Sequence, residues 1–212
     1  NLKQGFIDRF LLMTEPHDIP VTIVFNKQDL YGEEEMEIFE FLKLIYEDIG
    51  YHAIAVSALN GYGIKELSNH IKGKTILVCG QSGVGKSSLL SAIDPNLEIR
   101  VQEISDHSGK GQHTTTFAEM YTLKDAYLID TPGIKTLSFN NLSPQDVAHN
   151  FREIFKRSEG CKFGNCMHIN EPGCAIKEAI EIGEISELRY DNYLKILQEI
   201  EDQNYWERHT HM

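Results

Sequence analysis

Four groups of residues in this chain have types and spacings suited to chemistry. Gly80, Gln81, Ser82, Gly83, Val84, Gly85, Lys86 and Ser87 fit the pattern Gly-x4-Gly-Lys-Ser. Glycines let the backbone turn tightly, so successive N–H groups aim at one place, and a helix starting there adds a dipole that favours an anion. Such a loop cradles phosphates. Lys86 is placed to reach the β- and γ-phosphates, the Ser87 hydroxyl to coordinate Mg²⁺, and Ser88 follows in the same turn. A chance Gly-rich turn is the bland alternative. The strand-like run Thr75–Cys79 before the loop and the helix-like run Lys86–Ile93 after it argue against that.

The second group is Asn26, Lys27, Gln28 and Asp29, directly after the apolar run Val21–Phe25. Asp29 can accept two hydrogen bonds from the N1–H and exocyclic amine of guanine. Asn26 can serve the base edge and brace the loop, and the Lys27 stem can pack on the ring. Adenine would leave a buried carboxylate unpaired, at a cost of about 1–3 kcal/mol or more. Four letters are a weak signal alone. Ser57 and Ala58, after the next apolar run, strengthen it, because the Ala58 N–H can meet guanine O6. The nucleotide is therefore expected to be GTP rather than ATP.

The third group, Asp130, Thr131, Pro132 and Gly133, closes another strand-like run. Asp130 is expected to hold Mg²⁺ through water, and the Gly133 N–H to sense the γ-phosphate. Ile134 follows, where Ras-like enzymes carry a water-orienting Gln. Isoleucine cannot polarise water, so the stretch Gly109–Thr116 becomes the expected supplier. Thr115 is the expected residue that closes on Mg²⁺ and the γ-phosphate, with Thr114 as its rival. His113 is the candidate for orienting the attacking water, against the plain alternative of a solvated loop histidine. The catalytic set read from sequence is thus His113, Thr115 and Lys86, with Ser87 and Thr115 on Mg²⁺.

The fourth group is Cys161, Cys166, His168 and Cys174. Three thiolates and one imidazole suit closed tetrahedral Zn²⁺, and four protein ligands leave no open position, so the site is expected to be structural. Cys79 stands apart and reads as a packed strand thiol. Four cysteines with three in one Cys/His cluster do not make a disulfide framework; they point to a reducing compartment.

The elements that position these groups follow from periodicity. Phe6–Met13 reads as a helix ended by Pro16 and Pro20. Val21–Phe25 reads as a strand buried on both faces. Glu33–Ile49 reads as an amphipathic helix with Met36, Phe39, Leu42, Leu44, Ile45 and Ile49 inward, stopped by Gly50. His52–Val56, Phe117–Leu123 and Ala126–Ile129 read as strands and Ile64–Ile71 as a helix, while Ile99–Thr116 has no period. This alternation predicts an α/β layered sheet. The character changes after Leu142. Ser143 and Pro144 are an N-cap and first-turn pair, and Ala175–Ile182 and Ser186–Ile200 are helical, with Tyr193, Leu194, Leu197 and Ile200 as a core stripe or, alternatively, a face that docks a partner. The expected architecture is a P-loop GTPase domain with a three-layer α/β sheet over residues 1–142, then a small α-helical zinc-binding domain over 143–212.

Composition sets outer bounds. A length of 212 residues allows one large domain or two modest ones. No apolar run approaches the roughly 18 residues of a membrane span, and no signal segment opens the chain, so a cytoplasmic enzyme is expected; a monomer is expected alongside. A net charge of −12 disfavours a bare nucleic-acid binder, since phosphate neutralisation dominates such affinity. Contact with RNA would need a local patch or another domain.

The guanine motif precedes the phosphate loop, the reverse of most GTPases. With that rotated order and the zinc cluster, the chain resembles the circularly permuted, ribosome small-subunit-dependent GTPases of the YjeQ/RsgA family. The likeness rests on Asn26–Asp29, Ser57–Ala58, Gly80–Ser87, His113–Thr116, Asp130–Gly133, the Cys161/Cys166/His168/Cys174 set and the run Pro172–Ile176. It covers nearly all of the chain. The resemblance implies a late-stage assembly factor for the 30S subunit and its 16S rRNA, with GTP hydrolysis stimulated by the subunit. It also implies an N-terminal OB-fold domain, suited to RNA, that the present residues do not include. The alternative from another class is a GTP-gated RNA- and ribosome-binding scaffold with negligible hydrolysis.

Overall fold

The computed structural model describes residues 4–97, 119–130 and 142–209. They fall into two compact units, one within Thr22–Glu47 and Tyr51–Thr136, the other within Asn1–Val21, Asp48–Gly50 and Leu137–Met212.

In the first unit, β1 (Thr22–Phe25) lies parallel to β2 (His52–Ala55), with Thr22 opposite His52 and Phe25 opposite Ala55. Parallel neighbours need a crossover, and α2 (Glu33–Asp48; α1 belongs to the other unit) supplies it. Its Phe39, Leu42 and Tyr46 are buried. Leu44 is 68% exposed, contrary to the inward position expected for it. Two residues make about 200° of helix, so Leu42 and Leu44 face nearly opposite ways. β1 also departs from burial on both faces: Ile23 and Phe25 are buried, Thr22 and Val24 half-buried.

Then come α3 (Ile64–Ile71), β3 (Thr75–Leu77) and α4 (Lys86–Ile93). β3 pairs in parallel with β5 (Ala126–Asp130), which pairs antiparallel with β4 (Glu119–Leu123), giving the order β3-β5-β4. Among the described residues the strands thus form two sheets. One core cluster serves both, because Ile54 and Val56 pack with Leu67, Leu89, Ile93, Leu123 and Leu128. β3 stops at Leu77, so Val78 and Cys79 belong to the approach to the phosphate loop.

The second unit is helical: α1 (Gln4–Thr14), α5 (Pro144–Asn150), α6 (Arg152–Ser158), α7 (Ala175–Glu181) and α8 (Glu187–His209). Leu12, Phe151, Ile154, Ile176, Tyr193, Ile196, Leu197 and Ile200 form its core. The grouping is not a single division of the chain at residue 142: the segment with α1, and also Asp48–Gly50, cluster with the C-terminal helices. For α1 the reason is a polar tie inside the fold. Arg189 Nη1 donates to Asp8 Oδ1 at 2.6 Å and Arg189 Nε to Glu153 Oε1 at 2.7 Å. Asn192 Nδ2 donates to Asp8 Oδ2 at 2.6 Å. Asp8 and Arg189 are both buried, and the guanidinium lies 4.5 Å over the Phe151 ring. Buried charges survive only when paired and hydrogen-bonded, so Asp8 fixes α1 to α8. Among the described residues no helix is long and apolar enough to cross a membrane.

Candidate nucleotide site and metal centre

The pairing of β1 and β2 runs past the strand ends. Val56 N–H donates to Phe25 O at 2.8 Å and Gln28 N–H to Val56 O at 3.0 Å. This sets the Asn26 loop beside the Ser57 loop. Lys27 takes a left-handed conformation (φ 67°), which turns the chain into the single 3₁₀ turn Gln28–Leu30. Asn26 then joins three loops. Its Nδ2 donates to Val84 O at 3.1 Å and Gly85 O at 3.4 Å, and its Oδ1 accepts the Ala58 N–H at 3.3 Å. Lys27 Nζ donates to Gly83 O at 2.8 Å. The Asn26–Asp29 motif and the Gly80–Ser87 loop are therefore physically clasped.

Gly85 is what permits that closeness. Its φ is +90°, and a Cβ there would stand 2.5 Å from Asn26 Nδ2. Gly83 is also left-handed (φ +81°). Lys86 begins α4 and lays its Nζ against the loop, donating to Gly80 O at 2.7 Å and Gln81 O at 2.9 Å. Ser87 and Ser88 are exposed in the first turn, while Leu89 anchors the helix in the core. Exposed loop N–H groups, a helix N-terminus, an ammonium and a hydroxyl make a donor set that fits phosphates with Mg²⁺. Burial pushes the half-buried Cys79 thiol up, with Lys86 partly opposing, so it stays neutral behind the loop.

Asp29 is oriented by the buried Ser57, whose hydroxyl donates to its carboxylate. Ser57 Oγ in turn accepts the Asn60 N–H at 3.2 Å, and Ser57 N–H donates to Tyr62 O at 2.9 Å. The Ser57–Ala58 pair thus braces both the Asp29 carboxylate and, through the Ala58 N–H, the Asn26 side chain. Sequence reasoning missed Tyr31. Its hydroxyl donates to Asn26 O at 3.2 Å, and its ring lies 6.3 Å from Phe39, which meets Phe25 at 5.2 Å. Burial, and then the nearby Asp29, raise its pKa, so the phenol remains a donor. The available signal was an aromatic two residues past Asp29, too common to single out.

Asp130 ends β5. Its side chain, Thr131, Gly133, Ile134 and the stretch with His113, Thr114 and Thr115 lie outside the described residues, and so do the roles expected of them.

The four metal-ligand candidates do come together. Cys161, Cys166, His168 and Cys174 bring their ligand atoms within 4.8 Å of one another. His168 Nδ1 stands 3.6 Å from Cys161 Sγ and 3.5 Å from Cys174 Sγ. Burial lowers the His168 pKa and keeps the ring neutral, as a ligand must be. Burial first, then Cys174 and Cys161, push Cys166 up to about 12. Crowded thiols ionise together only around a cation, and three sulfurs with one nitrogen fit tetrahedral Zn²⁺.

The support around this cluster was only partly visible in the sequence. Tyr193, expected as core, also donates its hydroxyl to Met167 O at 2.8 Å, and Tyr190 donates to His168 O at 2.5 Å. Glu171 accepts from Met167 N–H at 2.7 Å, Ile169 N–H at 2.8 Å and Asn170 N–H at 3.0 Å. Burial would raise the Glu171 pKa, but these backbone bonds win and lower it. The knuckle carrying His168 (φ 62°) is therefore held from within and from α8.

Known proteins match this chain along nearly its full length. The family model described as RsgA GTPase matches residues 1–140. The small ribosomal subunit biogenesis GTPase RsgA of Bacteroides fragilis is 46% identical over 201 residues, spanning 94% of this chain and 65% of that protein. The protein of the same name from Flavobacterium psychrophilum is 46% identical over 202 residues, 95% of this chain and 62% of its own. The crystal structure of YjeQ from Thermotoga maritima superposes with a TM-score of 0.80 at 38% identity, covering 94% of this chain and 66% of that one. That of YloQ, a circularly permuted GTPase, gives 0.77 at 32% identity, covering 96% and 64%. The chain spans just under two thirds of the length of these curated relatives.

Proposed function

The chain belongs to the RsgA GTPase family and has its circularly permuted fold, and from that premise we propose that it hydrolyses GTP in the assembly of the small ribosomal subunit. The observation that carries this reading is the clasp of Asn26 and Lys27 on the carbonyls of Gly83, Val84 and Gly85, which holds a guanine-reading motif against a phosphate loop. Asp29, set by Ser57, reads the guanine N1–H and amine, while Ala58 and Asn26 border the base edge. The N–H groups from Gly83 to Ser88 and the Lys86 ammonium hold the phosphates. Ser87, Thr115 and Asp130 would hold Mg²⁺. Mg²⁺, when bound, neutralises charge on the β- and γ-phosphates. Gly133 contacts the γ-phosphate, and His113 orients the attacking water. Zn²⁺ sits in the Cys161/Cys166/His168/Cys174 cluster as a structural ion. The partners are the 30S subunit and its 16S rRNA, met by a monomer in the cytoplasm.

Multiple-turnover GTP hydrolysis with and without purified small subunits tests this reading. Strong stimulation is expected. Ile134, in place of a water-orienting Gln, favours one second reading, a GTP-gated scaffold, and turnover that stays negligible with subunits present would establish it. Asp29→Asn is expected to move preference from guanine towards xanthine; unchanged GTP affinity would refute the base assignment. His113→Ala is expected to lower stimulated turnover while leaving GTP affinity nearly intact. Equal turnover in that variant removes His113 from the mechanism.

A further inference from the structure

Helix α2 carries two apolar rows. Phe39, Leu42 and Tyr46 are buried in the unit. Ile38, Phe41 and Leu44 are 41%, 55% and 68% exposed. At about 100° per residue, positions i, i+3 and i+6 share one side of a helix, here rotated away from the buried row. A single exposed leucine needs no explanation, whereas three large apolar residues in helical register form an anchor pattern. Each has an exposed glutamate one turn before it: Glu34 before Ile38, Glu37 before Phe41, Glu40 before Leu44. Over its length α2 holds Glu33, Glu34, Glu35, Glu37, Glu40, Glu47 and Asp48 against Lys43.

We infer that this face of α2 docks a lysine- and arginine-rich protein segment that presents an apolar stripe of its own. The charge pattern selects the occupant. A nucleic acid or an anionic lipid surface would set phosphates against the Glu34–Glu37–Glu40 row. A second copy of the chain, docked α2 to α2, would set that row against itself. A basic segment pairs its cations with the glutamates while its apolar side covers Phe41 and Leu44, which gives affinity from burial and register from charge. None of Ile38, Phe41 and Leu44 is a residue assigned to the nucleotide, so the inference stands independently of the nucleotide chemistry.

A synthetic leucine–lysine peptide with leucines at i, i+3, i+4 and i+7 serves as the probe, against a shuffled peptide of equal composition that has no apolar face. Methyl NMR on the 212-residue chain reads the binding site. The patterned peptide is expected to bind about tenfold tighter than the shuffled one and to shift the Ile38 and Leu44 methyls first. Phe41→Ser, at an exposed position that leaves the core intact, is expected to weaken binding about tenfold, and Glu37→Lys to weaken it and flatten its salt dependence. Equal binding of both peptides, shifts confined to other surfaces, or indifference to Phe41→Ser would overturn the inference. So would oligouridylate binding at the Ile38 and Leu44 methyls, or a sedimenting dimer that Phe41→Ser abolishes.

Discussion

In the nucleotide unit the site is a meeting of loops. Asn26, Lys27 and Lys86 bond backbone carbonyls, and left-handed glycines let those backbones approach. In the helical unit the site is a cluster of side chains against a core, and the same unit holds the buried Arg189 and Asp8 with the half-buried Glu153. The first construction leaves N–H groups facing outward for a ligand that comes and goes. The second gathers four candidate metal ligands and spends its polar groups on internal partners. The difference teaches that one chain can keep an adaptable site and a permanent one by using backbone for the former and buried side chains for the latter.

Zinc is where this contrast is expected to be largest. Structural Zn²⁺ contributes about 10–16 kcal/mol of apparent binding energy in zinc-finger peptides, and that energy is folding energy. Cys174→Ser, at a buried ligand, is expected to leave less than about half an equivalent of Zn²⁺ and to abolish cooperative melting of the helical unit. GDP binding by the other unit should persist. Elemental analysis, thermal melting and nucleotide titration measure all three. Full zinc content in the variant would remove Cys174 from the ligand set, and loss of GDP binding would erase the contrast.

The buried ion network comes next. Arg189→Ala removes the buried cation that Asp8 and Glu153 share, which is expected to cost about 3–5 kcal/mol. Urea denaturation of the zinc-loaded protein reads this as a lower midpoint with an unchanged slope. A loss under about 1 kcal/mol would mean that water reaches the network and that the helical unit is less enclosed than described.

In the nucleotide unit, Gly85→Ala tests the clasp. A left-handed alanine costs about 1–2 kcal/mol, and its Cβ must also displace the Asn26 amide. GDP affinity is expected to fall by tenfold or more, with the melting of the helical unit unchanged. Asn26→Ala removes the same bonds without the strain and should give a smaller loss. Wild-type affinity in both variants would separate the clasp from nucleotide binding.

The two regions were unequally legible in the sequence. The phosphate loop, the guanine motif and the Cys/His cluster are local patterns whose chemistry dictates spacing, so they stand out in a single chain. Ser143 and Pro144 announced a helix start in the same way. The placement of α1 was not legible, because Asp8 and Arg189 are 181 residues apart and each looks like an ordinary surface charge. Leu44 was misplaced because a helix of many apolar residues has more than one apolar row, and periodicity alone does not say which row is covered. Tyr31 acts through one backbone contact and Glu171 through three, and no residue pattern encodes either.

The smallest expected effect lies at the cap of α5, and it refines the picture of the helical unit as internally paired. Ser143 N–H and its hydroxyl both reach Asp146 Oδ2 at 2.7 Å, and Asp146 N–H returns to Ser143 Oγ at 3.2 Å. The backbone bond from Ser143 first, then its hydroxyl, depress the Asp146 pKa against the opposing effect of burial. A depressed carboxylate adds stability above its unfolded value, about 3.9, and loses it as pH falls through the folded value. The group is partly solvated, so the contribution is about 1 kcal/mol or less. Asp146→Ala should therefore lower the urea midpoint slightly at neutral pH and by less at an acid pH below the folded value, where the wild-type carboxyl is protonated as well. Asp146→Asn keeps an acceptor for Ser143, so it should lose less and flatten the acid dependence. An equal loss for Asp146→Ala at both pH values would assign the effect to helix propensity instead of the charged cap.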